Sequence, residues 1–125
     1  MIMAIIHFLP DYTVARSGTL FNAISIIQSN HSRAAIVVDH GKVVGVVSEG
    51  DILRALLGGS DVHSPLDDHM QLGFCYLLEQ SLTDAFPLML LRGITLIPVV
   101  DHEFQLLGVV TLSEVLRWLQ SRLQS

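Results

Sequence analysis

The sequence has one cysteine, Cys75, and few basic residues. A single cysteine excludes an internal disulfide framework and is typical of a reducing compartment, so we expect a cytoplasmic protein. Seven Lys and Arg residues stand against 12 Asp and Glu residues, which gives a formal net charge of -5. Because the basic residues form no stripe, the composition argues against a nucleic-acid backbone as the main partner.

Long uncharged apolar runs are also missing, although 50% of the residues are hydrophobic. No run approaches the ~18 residues that a membrane span requires, so these residues predict the buried strands of a soluble protein. The apolar start, MIMAIIHFL, has neither a positively charged beginning nor a small-residue cleavage site. We therefore expect it to pack onto the domain rather than to act as a signal peptide. A length of 125 residues predicts one compact body.

The residues that catalysis needs are not grouped in the sequence. There is no paired nucleophile and base, no cluster with metal-ligand spacing and no Gly-rich phosphate loop. Cys75 lies in the apolar stretch LGFCYLL, which predicts a buried thiol rather than an activated nucleophile. His40 and His102 lie in predicted turns without a second ligand at metal-binding spacing, so we interpret them as solvated. We therefore expect neither an enzyme nor a bound metal or cofactor.

What the sequence does contain is an internal duplication. Residues of the first half recur in the second half at one offset: Leu20, Ala23, Val37, Val38, Asp39 and His40 recur as Leu82, Ala85, Val99, Val100, Asp101 and His102. After one extra residue in the second copy, a further group recurs: Gly45, Val46, Val47, Ser48, Asp51, Leu53 and Arg54 recur as Gly108, Val109, Val110, Thr111, Glu114, Leu116 and Arg117. Because the extra residue falls in a predicted turn, the pattern indicates that one supersecondary unit was duplicated.

Periodicity predicts the same order of elements in both copies. In the first copy, apolar residues at helical spacing predict a helix over 19–29, and the β-branched runs AAIVV and VVGVV predict a hairpin. A second helix is predicted to begin at Ser48 and to end at Gly58 and Gly59. The corresponding elements of the second copy are predicted at 81–92, 96–100, 106–110 and 113–123. Pro87 is expected to kink or break the first of these.

These elements predict an α/β (α+β) fold built from two β-α-β-β-α repeats. The first repeat is predicted to span residues 1–59 and the second residues 60–125. Residues 60–68, rich in Ser, Asp and Pro, are predicted to form the linker. Because the strand residues are continuously apolar rather than alternating, we expect both faces of the strands to be covered.

Four short strings resemble those of a known family. They are VVD before each hairpin turn, GVVSEGDIL and GVVTLSEVL after the turns, and DDHM before the second copy. Together they resemble a tandem pair of cystathionine-β-synthase (CBS) domains, also called a Bateman module, over roughly residues 10–123. The resemblance implies two repeats related by pseudo-twofold symmetry, with two clefts that hold adenosyl compounds such as AMP, ADP, ATP or S-adenosylmethionine. It also implies a homodimer, which would work alone or for a separate effector enzyme or transporter.

Candidate binding residues lie where a strand ends and a helix begins. Ser48 and Thr111 each place a hydroxyl beside the free N–H groups of a helix start, which suit a phosphate. Three residues later, Asp51 and Glu114 offer carboxylates that can accept hydrogen bonds from the two ribose hydroxyls. The resemblance assigns these roles to the two pairs and implies that Arg33 contacts a phosphate. It also implies that three residues lie near the adenine: Val14, Ile36 and Pro98.

Each of the two pairs also has a structural interpretation. A Ser or Thr followed three residues later by an acid is a helix capping box, which contributes roughly 0.5 to 2 kcal/mol without any ligand. Glu114 is longer than the aspartate that the family uses for ribose, so the cleft that contains Asp51 is favoured as the functional one. Two functions follow from these interpretations. The first is a regulatory module that binds an adenosyl ligand, and the second is a non-catalytic structural or dimerisation module without tight nucleotide binding.

Overall fold

The computed structural model describes residues 7–123, and its elements follow the predicted order. The first half contains strand β1, helix α1, strands β2 and β3, and helix α2: Thr13–Ala15, Leu20–Asn30, Ala34–Asp39, Lys42–Ser48 and Glu49–Leu57. The second half contains helix α3, strands β4 and β5, and helix α4: Leu82–Arg92, Leu96–Val100, Leu106–Thr111 and Leu112–Leu123. Short 3-10 helices precede β1 and α3, at Leu9–Tyr12 and Leu66–Asp68. The mixed α/β fold is therefore confirmed, while the expectation for the apolar start falls largely on residues 1–6, outside the described range.

The helices begin and end where capping residues occur in the sequence. Thr19 caps α1 in a reciprocal box with Asn22, and Ser48 caps α2 in the same way with Asp51. Ser81 accepts a hydrogen bond from the backbone N–H of Asp84 at the start of α3. Gly93 ends α3 in the left-handed region, with φ of 64°, which glycine adopts without steric cost. Local hydrogen bonding therefore fixes the positions at which the helices start.

The two hairpins differ in their turns, where the sequence has its extra residue. His40 and Gly41 both have positive φ, 52° and 82°, which suits a two-residue turn between twisted strands. The second hairpin has a longer loop, in which Phe104 takes the left-handed conformation at φ of 64°. Both hairpins shift register at the same place in the duplicated pattern, after Val37 and after Val99. The copies thus share their strand pairing and differ in the turn.

Two local predictions for the second copy differ from the structure. The strand before α3 is reduced to a single bridge, in which Leu77 pairs in parallel with Val99 as Val14 pairs with Val37. The described residues therefore form one three-stranded sheet and one two-stranded sheet. Helix α3 also continues through Pro87, so the expected break is absent while a kink stays a prediction; its inner face, including Ala85 and Met89, is buried in the core of the second repeat.

The repeats meet through their sheets. In β2, Ala35 and Val37 pack into the helix-facing core of the first repeat, while Ala34 and Ile36 face the second repeat. Strand β4 divides its residues in the same way. The residues between the sheets form the central cluster: Ala34, Ile36, Val43, Leu96, Val100 and Val109. Both faces of these strands are therefore covered, which explains their continuous apolar runs. The packing of the two sheets also brings the starts of β2 and β4 together.

Candidate ligand-binding site

Two crevices lie where the starts of β2 and β4 meet between the repeats. The first crevice has a volume of ≈ 210 Å³ and is lined by Arg33, Ser48, Glu49, Gly50, Gly93 and Thr95. The second crevice has the same volume, ≈ 210 Å³, and is lined by His31, Ser32, Arg33, Thr95, Leu112, Ser113 and Leu116. In the duplicated pattern the start of α2 corresponds to the start of α4, so the two crevices are related by the duplication. Arg33 and Thr95 line both.

The first crevice is the more polar of the two. Its walls carry the Arg33 guanidinium, the Ser48 hydroxyl and the start of α2, which are groups that attract an anion. The Arg33 side chain is 69% exposed, and its Nε donates to Glu49 Oε1 at 2.9 Å. In the second crevice the position of Glu49 is taken by Leu112, and Leu116 adds a further apolar wall. The two crevices therefore offer different chemistry despite their common origin.

The Thr95 hydroxyl has a structural partner. It donates to the backbone oxygen of Ser32 and so joins the start of β4 to the segment before β2. This bond connects the two repeats at the point where the crevices meet.

Asp51 lies beside the first crevice and accepts four hydrogen bonds. Its Oδ2 accepts from the Ser48 N–H at 2.8 Å, the Ser48 hydroxyl at 2.9 Å and Gln71 Nε2 at 2.7 Å. Its Oδ1 accepts from Arg54 Nη2 at 2.7 Å. Burial by itself would raise the pKa of Asp51, but the bonds from Ser48, Gln71 and Arg54 outweigh burial, so the pKa lies below its usual value. The carboxylate is therefore held in its charged form.

The charge on Asp51 makes the stability of the fold sensitive to acid. A carboxyl whose pKa is lower in the folded state contributes stability that is present above its unfolded pKa, near 3.8, and is lost as the pH falls through the folded value. We expect Asp51→Asn, which keeps an acceptor but loses the charge, to be less stable than the wild-type protein at pH 7. The difference should shrink as the pH falls from about 5 to about 2. Urea unfolding at a series of pH values measures this difference in the free energy of unfolding. A difference that stays constant across this pH range would contradict the lowered pKa of Asp51.

Glu114 occupies the corresponding position in the second repeat and is buried. Its Oε1 accepts from the Thr111 N–H at 2.8 Å and contacts His7 Nε2 at 2.9 Å. The Glu114 N–H donates to the Thr111 hydroxyl at 3.3 Å, which completes a capping box. His7 Nδ1 lies 3.2 Å from the hydroxyl of Tyr12. The second carboxylate is therefore covered by the segment that precedes β1.

The structure separates the predicted contact residues into three groups. Arg33 and Ser48 line the first crevice, and Asp51 lies next to them through its bonds to Ser48. Thr111 and Glu114 are buried, and neither lines either of these two crevices. The three residues expected near the adenine are buried in the core and line neither crevice: Val14, Ile36 and Pro98. The capping boxes that formed the structural interpretation of the two pairs are both present.

Sequence reasoning missed the two side chains that cross between the repeats to meet these acids. Gln71 comes from the segment between the linker and α3, and it meets Asp51 in the first repeat. His7 comes from the segment before β1, and it meets Glu114 in the second repeat. Neither residue belongs to a periodic run, so no pattern marks it. The one signal in the sequence is the string DDHM, which directly precedes Gln71.

The remaining candidate groups lie on the surface. His40 is almost fully exposed in its turn, as expected of a solvated residue, and its Nδ1 lies 2.8 Å from Asp39 Oδ1. Cys75 is partly exposed, so the prediction of a buried thiol is wrong; the segment around it forms no regular element that would cover it. Within residues 7–123, no three His, Cys, Asp or Glu side chains are grouped as a metal site would require. In the same range, no helix combines the length and the apolar character of a membrane span.

Comparison with known proteins identifies relatives of this arrangement. The family model for the CBS domain matches residues 7–58 and 77–121. Arabinose 5-phosphate isomerase GutQ of Escherichia coli K12 is 36% identical over 103 residues, which are 81% of this chain and 32% of the relative, so the chain spans about a third of that protein.

Solved structures agree with this match. A CBS domain pair/ACT domain protein from Thermotoga maritima has a TM-score of 0.71 and 28% identity, with 89% of each chain covered. The cytosolic domain of the Mg²⁺ channel MgtE in complex with ATP has a TM-score of 0.69 and 25% identity, covering 87% of this chain and 45% of that one.

Proposed function

The chain belongs to the CBS domain family, whose paired repeats are regulatory modules, and we propose that it binds an adenosyl ligand in the first crevice. AMP, ADP, ATP and S-adenosylmethionine are the candidate ligands. In this proposal the first repeat comprises residues 1–59 and the second residues 60–125, with a linker at 60–68. The observation that carries the proposal is that Arg33 and Ser48 line one crevice between the repeats, at the start of a helix.

The phosphate end of the ligand is proposed to lie at the start of α2. The Ser48 hydroxyl and the N-terminal end of α2 attract an anion there, and the Arg33 guanidinium can turn from Glu49 toward a phosphate. An exposed ion pair such as that between Arg33 and Glu49 contributes little stability, so its loss is a small cost of binding. In the duplicated pattern the residue that corresponds to Arg33 is the uncharged Thr95, so Arg33 is the cation that lines both crevices.

The ribose is proposed to bind Asp51. Two of the four donors to this carboxylate belong to exposed side chains, Gln71 and Arg54, the latter 71% exposed. Both can turn into water without leaving a buried unpaired group, and the two ribose hydroxyls would take their places. A carboxylate offers about four acceptor positions, so the bond from the Ser48 N–H can persist while a ribose is bound, and the Ser48 hydroxyl turns its single proton from Asp51 to the phosphate.

The adenine is proposed to extend along the strands. Ile36 lies three residues beyond Arg33 on β2, a distance of roughly 10 Å at about 3.3 Å per residue, which suits the span of a nucleoside. Val14 is on β1, the edge strand beside β2. Pro98, on β4, likewise lies three residues beyond Thr95. Entry of the base requires these buried side chains to shift.

A ligand in the first crevice would contact both repeats. Arg33 and Ser48 belong to the first repeat, whereas Gly93 and Thr95 belong to the second. Binding would therefore favour one packing of the repeats over others, which is how a ligand can alter the surface that a partner recognises. We propose a cytoplasmic homodimer that pairs through exposed leucines of α2 and α4 and acts on a separate enzyme or transporter: Leu53, Leu57 and Leu116.

One observation favours a second candidate function. Asp51 and Glu114 are both fully engaged in hydrogen bonds of the fold, so the module can also be a non-catalytic structural or dimerisation unit without tight nucleotide binding. In that case the acids have been retained for helix capping alone.

A panel of ligands distinguishes the two functions. Thermal unfolding is followed with AMP, ADP, ATP and S-adenosylmethionine, each added in increasing concentration, with CMP as the control for the base. At about 100 times its dissociation constant, a ligand of the folded state stabilises it by about 2.7 kcal/mol. At least one adenosyl compound should raise the melting temperature, and CMP should not. An unchanged melting temperature with every adenosyl compound would contradict the proposal and favour the structural module.

A further inference from the structure

The segment before β1 is tied to the start of α4 through buried side chains. His7 Nε2 lies 2.9 Å from Glu114 Oε1, and the side chains of His7 and Glu114 are only 10% and 2% exposed. The rings of His7 and Tyr12 pack edge to face with centroids 5.2 Å apart. Leu9 and Tyr12 of the same segment pack against the central cluster. The contact therefore belongs to an anchored segment of chain.

The partners of His7 define its hydrogen-bonding state. Burial, with the charges of Asp11 and Glu114, raises the pKa of Tyr12, so its hydroxyl keeps its proton, and it lies 3.2 Å from His7 Nδ1. Glu114 Oε1 accepts from the Thr111 N–H and acts as an acceptor toward His7 Nε2 as well, so Nε2 carries the hydrogen between them. Tyr12, His7 and Glu114 thus form a continuous chain of hydrogen bonds, each oriented by the next.

The same Glu114 oxygen serves the helix cap and the contact with His7. Oε1 accepts from the Thr111 N–H at 2.8 Å and meets His7 Nε2 at 2.9 Å. A ribose hydroxyl that approaches this oxygen must therefore replace His7. Because His7 is held by its own chain, it competes at an effective concentration that for short tethers is of millimolar order.

The first crevice has a much weaker cover over its carboxylate. Gln71 donates to Asp51 from an exposed position, and no ring packs against it in the described part of the chain. A solvated amide is replaced easily by a ligand hydroxyl, whereas release of His7 also breaks its contacts with Tyr12. The duplicated positions thus differ in whether the acid is available.

We propose that residues 7–12 act as an internal latch, in which His7 occupies the ribose acceptor of the second crevice and leaves the module with one open ligand site. Displacing the latch opens a second site at Glu114 and Thr111, and moves the segment that leads directly into β1. This inference rests on the proposed function, because it takes the second crevice to be a former or latent adenosyl site.

Isothermal titration calorimetry with AMP, ATP and S-adenosylmethionine, each titrated separately, tests the latch. Wild-type protein should bind one ligand per chain, and Asp51→Ala, which weakens the first site by about 100-fold, should show no saturation over the concentration range that saturates the wild-type protein. Combining Asp51→Ala with His7→Ala should restore one site per chain. The ligand should bind this double variant at least tenfold more tightly than the weakest binding that the titration of Asp51→Ala can detect. Combining Asp51→Ala with His40→Ala, which removes an exposed histidine from a turn, should restore nothing.

The outcomes separate the latch from the proposed function. One site in wild-type protein with none restored by His7→Ala overturns the latch and leaves the proposed function intact, as do two sites in wild-type protein. If neither the wild-type protein nor any variant binds a ligand, the proposed function is overturned, and so is the latch as a barrier to ligand.

Hydrogen exchange tests the contact without any ligand, and with a variant of minimal change. In Tyr12→Phe and in His7→Ala, the amides of Asp11 and Arg16 should exchange at least tenfold faster than in wild-type protein, because the segment that holds them is released. Unchanged exchange in both variants overturns the latch.

Discussion

Replacing Asp51 with alanine is expected to weaken binding of the adenosyl ligand by about 100-fold. The two hydrogen bonds proposed between the ribose hydroxyls and this carboxylate are charge-assisted, and each contributes about 1.5 kcal/mol or more, so their loss amounts to two factors of about ten. Calorimetric titration of the ligand that stabilises the wild-type protein most measures the change.

The chain offers a matched control for this variant. Ser81 and Asp84 repeat the spacing of Ser48 and Asp51 at the start of α3, where the Asp84 N–H donates to Ser81. Neither residue lines either crevice. Asp84→Ala should therefore leave the affinity within about twofold of wild type. Equal losses from the two variants would mean that Asp51 acts through the helix rather than through the ligand.

Replacing Ile36 with alanine is expected to lower the free energy of unfolding by about 2 to 5 kcal/mol. Ile36 is fully buried in the central cluster between the two sheets, and the cavity left by truncation would lie where both repeats pack. Urea unfolding at equilibrium measures the loss. Leu91→Ala is the control, because this side chain on α3 is 81% exposed and its loss should change stability by no more than about 0.5 kcal/mol. A loss below about 1 kcal/mol for Ile36→Ala would contradict the packing of the repeats through their sheets.

Local physical chemistry explains which parts of the fold the sequence predicts well. The helix starts at Thr19, Ser48 and Ser81 follow from side chains that bond to nearby backbone groups, and the end of α3 follows from Gly93. The position of the extra residue in the second hairpin was predicted for the same reason, because turn residues are recognisable over a few positions. These features depend on neighbours in sequence.

The features that were not predicted depend on residues far apart in the chain. Leu77 keeps only one bridge of the strand that the duplication predicts, and the burial of Ala85 and Met89 keeps α3 continuous through Pro87. The contacts of Gln71 with Asp51 and of His7 with Glu114 join segments that no periodicity relates. Pairing across the repeats therefore has to be read from the structure.

The choice between helix capping and ligand binding is not an exclusive one for Asp51. The structure contains the capping box, and the same carboxylate also accepts from two exposed side chains that a ligand can replace. Glu114 differs, because its accepting oxygen is shared by the cap and a buried histidine. Their spacing in the sequence does not distinguish the two acids. Their surroundings do, because Asp51 is available to a ligand whereas Glu114 is covered by His7.

A crystal structure of the protein with the adenosyl compound that stabilises it most would show whether Asp51 holds the ribose. We expect electron density for the ligand between the repeats, with its ribose hydroxyls within hydrogen-bonding distance of the Asp51 carboxylate and its phosphate or equivalent tail beside Ser48 and Arg33. Gln71 should have turned away. A ligand bound elsewhere, with Gln71 still donating to Asp51, would contradict the account.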